Sequence, residues 1–137
     1  MKINLDAIAQ IESSGNPDAE NKVSGARGKF QITAVCLDDY NQFHGVKVTG
    51  EDLWNPKINE RVANWYLHVR LPQILEAMDV PVTTFTICAA YNWGPGNLAR
   101  WYKAANREEL KQMRGVPRET VNYYRIYCQL IMQPEAK

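Results

Sequence analysis

The chain is divided by breaks that interrupt any regular element, at Gly15-Asn16-Pro17, Gly45, Pro72, Gly94-Pro95-Gly96 and Gly115 with Pro117. Between the breaks, apolar residues recur at helical spacing, so the fold has to be assembled from several short helices. The first predicted helix runs from Asn4, as N-cap, to Ser14, with Leu5, Ile8 and Ile11 as its apolar positions. A polar, glycine-bearing loop over 21–29 follows, and its part from Ser24 to Gly28 reads either as a flexible cleft-edge element or as a simple turn. A second helix is predicted from Thr33 to just before Gly45. The strongest start signal is Asn55 followed by Pro56, cap and first helical position. Ile58, Val62, Trp65, Tyr66 and Val69 continue that helix, and Pro72 is expected to interrupt or end it. Thr83 or Thr84 caps another helix through Phe85, Ile87, Cys88 and Ala89 to Tyr91, which Gly94-Pro95-Gly96 must break. Asn106 with Glu109 forms a capping-box pattern that opens a short helix. A last helix follows Pro117 and carries Val121, Tyr124, Cys128 and Ile131. Val46 to Val48 is the one strand candidate, so the expected class is mainly α.

Length and composition set the outer bounds. A chain of 137 residues and 15.7 kDa is the size of one domain, and 1–137 is read as a single one. With 45% hydrophobic and 23% charged residues it resembles ordinary globular proteins. Sixteen basic and fifteen acidic residues leave +1, which offers no broad basic field for nucleic acid. No apolar run reaches the ~18 residues that span a bilayer, so no membrane anchor is expected. The opening Met-Lys-Ile-Asn-Leu-Asp lacks the unbroken apolar stretch of a secretory signal. Cys36, Cys88 and Cys128 are odd in number and scattered, which argues against a disulfide framework and for synthesis in a reducing compartment. His44 and His68 lack a ligand-pair spacing and HExxH is absent, so no metal or cofactor is expected. There is no GxSxG elbow and no phosphate-binding glycine loop. The acidic pairs Asp38-Asp39, Glu51-Asp52 and Glu108-Glu109 fit solvated helix ends and loops. Trp101, at helical spacing from Leu98, is expected to be buried.

Glu12 stands apart from the other acids. Leu5, Ile8 and Glu12 are spaced by three and four, which puts the carboxylate on the apolar stripe of the first helix. There it faces the core, lines a cleft at the helix end, or bridges to an arginine. In a cleft, desolvation favours the protonated form, and a neutral carboxylic acid is what protonates a glycosidic oxygen.

Four segments add to this reading. They are Glu12-Ser13-Ser14-Gly15-Asn16-Pro17, Gly25-Ala26-Arg27-Gly28-Lys29-Phe30-Gln31-Ile32, Ala89-Ala90-Tyr91-Asn92-Trp93-Gly94-Pro95-Gly96-Asn97 and Glu119-Thr120-Val121-Asn122-Tyr123. In order and spacing they resemble the motifs of the soluble lytic transglycosylase family, which shares the lysozyme-like fold with goose-type lysozymes. The resemblance spans about Ile8 to Ile126. It departs from the family at Lys29-Phe30, where Leu-Met is usual, and by a second tyrosine, Tyr124, beside Tyr123.

The resemblance implies a mainly α, lysozyme-like single domain with a substrate cleft between helical lobes, acting as a monomer on a peptidoglycan glycan strand. It makes Glu12 the single catalytic acid/base. Ser13 then orients the acid or binds substrate, Phe30 walls a sugar subsite, and Gln31, Tyr91 and Asn92 meet the glycan. Tyr123 matches the tyrosine that hydrogen-bonds near the acid. On their own, Gln31 and Asn92 also suit caps or turns, and Tyr91 and Tyr123 suit core aromatics. The implied chemistry is cleavage between N-acetylmuramic acid and N-acetylglucosamine with closure of a 1,6-anhydro ring. A goose-type hydrolase using Asp18 or Glu20, or a non-catalytic glycan-binding module, are the alternatives. The substrate lies in the cell wall, in the periplasm. With no signal peptide in view, a phage lysis or virion-delivered enzyme, or non-classical export, is expected.

Overall fold

A computed structural model describes residues 1–133. Eight α-helices make up most of them, and among the described residues there is no strand, only isolated bridges pairing Glu20 with Arg27 and Arg27 with Ile32. The chain forms two compact units, one of Asn4–Tyr66 and one of Met1–Ile3 with the chain from Leu67 onward.

In the first unit, α1 (Leu5–Ser13) begins where the Asn4 side chain accepts from the Ala7 N–H at 3.0 Å. It ends in a left-handed Ser14, φ 55°, with the Gly15 N–H reaching back to the Ala9 carbonyl. Helix α2 (Ala34–His44) is capped by Thr33 and stopped by Gly45. Val46 to Val48 does not form a strand. The Asn41 amide takes the place of a strand partner, donating to the Val48 carbonyl at 2.8 Å and accepting from its N–H at 2.9 Å. A 3-10 turn, Glu51–Trp54, leads to α3 (Pro56–Trp65), which starts at Asn55 and Pro56 as the sequence predicts. Ile8, Phe30, Ile32, Leu37, Leu53 and Val62 are among the buried side chains of this unit.

Pro72 does not end the helix that α3 begins. The backbone passes through a π-helical turn, Tyr66–Arg70, into α4 (Leu71–Ala77). Pro72 therefore lies in the first turn of a newly started helix, where a missing N–H is tolerated.

The second unit is built on α5 (Thr84–Trp93). Thr83 and Thr86 form a reciprocal capping box at its start. Residues 86–90 are buried in succession, as expected of a helix covered on several sides by α4, α6 (Pro95–Ala104) and α8 (Arg118–Met132). Gly94, φ 100°, breaks the chain as expected, and Pro95 then serves as the first residue of α6, a helix the sequence reading does not include. The short α7 (Arg107–Gln112) has the Asn106–Glu109 box in place. Trp101, expected to be buried, is half-buried, because its indole N–H reaches the Arg114 carbonyl at 2.7 Å. The Ile3 N–H donates to His68 Nε2 at 2.9 Å and so ties the first residues to this unit.

Candidate active site

Glu12 occupies the last turn of α1, half-buried, one turn beyond the fully buried Ile8. Its neighbour Ser13 is fixed more tightly than a helix-terminal serine usually is. The hydroxyl donates to the Lys29 carbonyl at 2.7 Å, across sixteen residues of sequence. The exit of the acid-bearing helix is thereby attached to the glycine-bearing loop.

That loop, read from sequence as a flexible element or a simple turn, is closed by its own hydrogen bonds. Asn21 N–H donates to the Ala26 carbonyl at 2.9 Å, Gly28 N–H to Ala19 at 2.8 Å, and Arg27 and Ile32 exchange backbone bonds at 3.0 and 2.9 Å. Arg27 adds ion pairs to Glu20 at 3.5 Å and Glu51 at 3.6 Å, and its guanidinium lies over the Trp54 ring. Gln31 is held with a positive φ of 52°. Its amide nitrogen donates to the carbonyls of Ala19 at 3.1 Å and Gly28 at 2.9 Å. Because both partners are acceptors, the amide orientation is fixed, and Oε1 remains as the acceptor these bonds do not use. Phe30 is 1% exposed, so its ring belongs to the core beneath the loop.

Asn59 is the residue that sequence reasoning missed. It is wholly buried on α3, and its side chain makes three bonds to the loop and its surroundings. Its Oδ1 accepts from the Phe30 N–H at 3.0 Å, while Nδ2 donates to the Arg27 carbonyl at 2.9 Å and the Leu53 carbonyl at 3.1 Å. Gly28, φ 80°, packs directly on this amide. A Cβ there would overlap Asn59 Nδ2 and lie 2.9 Å from the Leu53 oxygen. The requirement at position 28 is thus for close approach as well as for a left-handed backbone. The usable signal was an asparagine at a position of α3 that otherwise faces the core.

The remaining candidates lie in the second unit. Tyr91 and Asn92 are half-buried in the last turn of α5, and Tyr123 is buried on α8. Thr120 Oγ1 donates to Asn92 Oδ1 at 2.7 Å, while Asn92 Nδ2 faces Glu119 Oε1 at 3.5 Å. This orients the Asn92 amide with its NH2 as the outward donor. Of the two adjacent tyrosines, Tyr124 packs on Phe85 of α5, ring centroids 5.2 Å apart, and hydrogen-bonds Cys128, which raises its pKa.

The three cysteines are free thiols. Burial, with a smaller contribution from Asp39, pushes the Cys36 thiol up to about 12, and burial with Cys128 nearby does the same for Cys88. Both are therefore neutral core side chains and poor nucleophiles. Among the described residues no helix is long and apolar enough to cross a membrane.

Comparison with known proteins finds no match to a curated protein and none to a solved structure. The family model of the transglycosylase SLT domain, in contrast, matches residues 2–113, a span that includes Glu12, the glycine-bearing loop and Tyr91-Asn92 but stops before Tyr123. With a mainly helical, lysozyme-like architecture and more than half its length covered, this chain belongs to the transglycosylase SLT family, whose substrate is peptidoglycan.

Proposed function

We propose that the chain is a peptidoglycan lytic transglycosylase with Glu12 as its sole acid/base. The observation that carries this reading is the bond from Ser13 to Lys29, which holds the end of the acid-bearing helix against the glycine-bearing loop. A half-buried carboxylate on such a mount keeps its position relative to a sugar lying along the loop, and orientation supplies a large share of glycosidic rate enhancement.

The step balances without water. Protonated Glu12 gives its proton to the glycosidic oxygen between N-acetylmuramic acid and N-acetylglucosamine, and the C1–O bond breaks. The acetamido carbonyl of the muramoyl residue stabilises the cationic C1. Ionised Glu12 then takes the proton of the muramoyl C6 hydroxyl as that oxygen bonds to C1, which closes the 1,6-anhydro ring and restores the acid. Ser13 positions Glu12. Gln31 Oε1 accepts from a sugar hydroxyl or amide, and Asn92 donates from its NH2. Tyr91 and Tyr123 meet the glycan from their own unit, and Phe30 backs the loop from the core. Most glycosidases use a second carboxylate. Of the two acids that follow Glu12 in the loop, Glu20 is paired with Arg27 and Asp18 is exposed, which favours the lyase over a water-activating hydrolase.

Mass spectrometry of digested peptidoglycan tests this reading. Muropeptides one water lighter than the hydrolysis products are expected, and products at the hydrolase mass would overturn the lyase chemistry. Glu12→Gln should lower turnover roughly a thousandfold or more, since the amide cannot transfer a proton. A folded Glu12→Gln protein that retains wild-type activity would remove Glu12 from the mechanism.

A further inference from the structure

Side chains from two different helices meet at a single peptide group of the glycine-bearing loop. The Lys29 carbonyl accepts from the Ser13 hydroxyl at 2.7 Å, and the Phe30 N–H donates to Asn59 Oδ1 at 3.0 Å. That carbonyl and that N–H belong to one amide. The peptide is trans, so the two groups point in opposite directions from one rigid plane. The exit of α1 is therefore held at one edge of the plane and α3 at the other. Ser13 also reaches the Ala9 carbonyl of its own helix, but at the longer distance of 3.3 Å.

Asn59 is the fixed end of this link. It lies one turn after Asn55, whose side chain caps α3, and it is 0% exposed. Its Nδ2 donates to the carbonyls of Arg27 at 2.9 Å and Leu53 at 3.1 Å, so the amide cannot turn without breaking three bonds in a buried site. Gly28 packs on Nδ2 from the loop side and leaves no room for a Cβ. In such a setting hydrogen bonds in series polarise one another. The bond from the Phe30 N–H to Asn59 makes the Lys29 oxygen a better acceptor for Ser13. Glu12 directly precedes Ser13 in the last turn of α1, so whatever fixes Ser13 fixes the backbone that carries the acid.

We propose that Asn59 is a positioning residue for Glu12, acting through the Lys29–Phe30 peptide and Ser13, so that turnover depends on it beyond its contribution to stability. The proposal rests on Glu12 being the acid/base and deepens that reading. Asn59 has no exposed surface to offer a glycan, so its effect on the reaction passes through the loop it holds against the end of α1. Proton transfer is steep in distance: a misplacement of about 1 Å can cost about a hundredfold in rate, and a fraction of that displacement about tenfold.

The test is a double-mutant cycle of Ser13→Ala and Asn59→Ala in the full chain. The constants kcat and KM are measured on soluble peptidoglycan fragments, at a temperature where urea titration shows each variant folded. Each single change should lower kcat about tenfold and leave KM within about twofold. The double variant should be no slower than the slower single one, as for two residues that act through one group. A kcat per folded molecule that Asn59→Ala leaves unchanged, a change confined to KM, or losses that multiply in the double variant each overturn the proposal. Should Asn59→Ala fail to fold, the Phe30 amide resonance of isotope-labelled Ser13→Ala decides. Removing the hydroxyl from the same amide should weaken the Phe30 bond to Asn59, moving the resonance upfield and speeding its hydrogen exchange. A resonance and exchange rate unchanged from the unaltered protein overturn the link. Product masses are scored in the same reactions. Coupled losses with products at the hydrolase mass sustain the role of Asn59 and sink the lyase reading, whereas multiplying losses with anhydro products do the reverse.

Discussion

At the scale of single residues, the loop that carries Gln31 depends on Asn59 and Gly28. Asn59→Ala leaves the Phe30 N–H and the carbonyls of Arg27 and Leu53 without their buried partner. A loss of about 3 kcal/mol in urea unfolding is expected, since each orphaned group costs about 1 kcal/mol or more. Asn59→Asp should be no better than alanine, because it presents a second acceptor to two carbonyls. If Asp restores stability, the bonding assignment is wrong. Gly28→Ala combines an unfavourable φ with an overlap on the Asn59 amide, and a cost of at least about 2 kcal/mol should appear in the same assay. Little of this was legible in the sequence. Glu12, Ser13 and Gln31 stand in recognisable motifs, whereas Asn59 is one more polar residue in a helix until its neighbours in space are known. The loop's closing hydrogen bonds were hidden for the same reason, because they join residues that are separated in the chain.

At the scale of elements, local chemistry was read well wherever a cap made the decision. Asn4, Thr33, Asn55 and Asn106 each cap the helix that the sequence predicts. Gly94-Pro95-Gly96 ends α5 as the sequence predicts, but the sequence does not show that Pro95 also starts α6. Pro72 likewise sits in the first turn of α4, because a proline that follows a finished helix can open the next one. Thr83→Ala should destabilise α5 by about 1 kcal/mol, visible as a lower midpoint in thermal unfolding. Trp101→Phe removes the 2.7 Å bond to Arg114 but keeps most of the packing, and should cost a similar amount, about 1 kcal/mol. An unchanged midpoint would mean that the 114–115 segment is held by something other than the indole. Trp65, buried among Tyr40, Phe43 and His44, has an indole N–H that makes no hydrogen bond. Trp65→Phe removes that donor, so its loss of packing volume should be offset in part.

At the scale of the whole molecule, the buried thiols set a limit on alkaline stability. Cys36 and Cys88 titrate near 9 when unfolded and near 12 when folded, so the folded state holds their protons more tightly. The stability this provides is complete below about pH 9 and is lost progressively as pH rises toward 12. Urea midpoints should therefore fall across that window, and a Cys36→Ala, Cys88→Ala variant should show a flatter decline whatever its absolute stability. Identical slopes would exclude the thiols as the cause.

The stretch from α6 through α7 to the start of α8, with Trp101 bonded to the Arg114 carbonyl, has a practical consequence as well. A chain with an isoelectric point near 7.7 would ordinarily pass a cation-exchange column run at that pH. Here a resin meets Arg100, Lys103, Arg107, Lys111, Arg114 and Arg118, six exposed cations in one short stretch of chain with only Glu108 and Glu109 as acids among them, and retention depends on the surface that touches the bead rather than on the sum over the molecule. The protein should stay on the column at its own isoelectric point, elute only as salt is raised, and run earlier once Lys103, Arg107 and Lys111 are reversed.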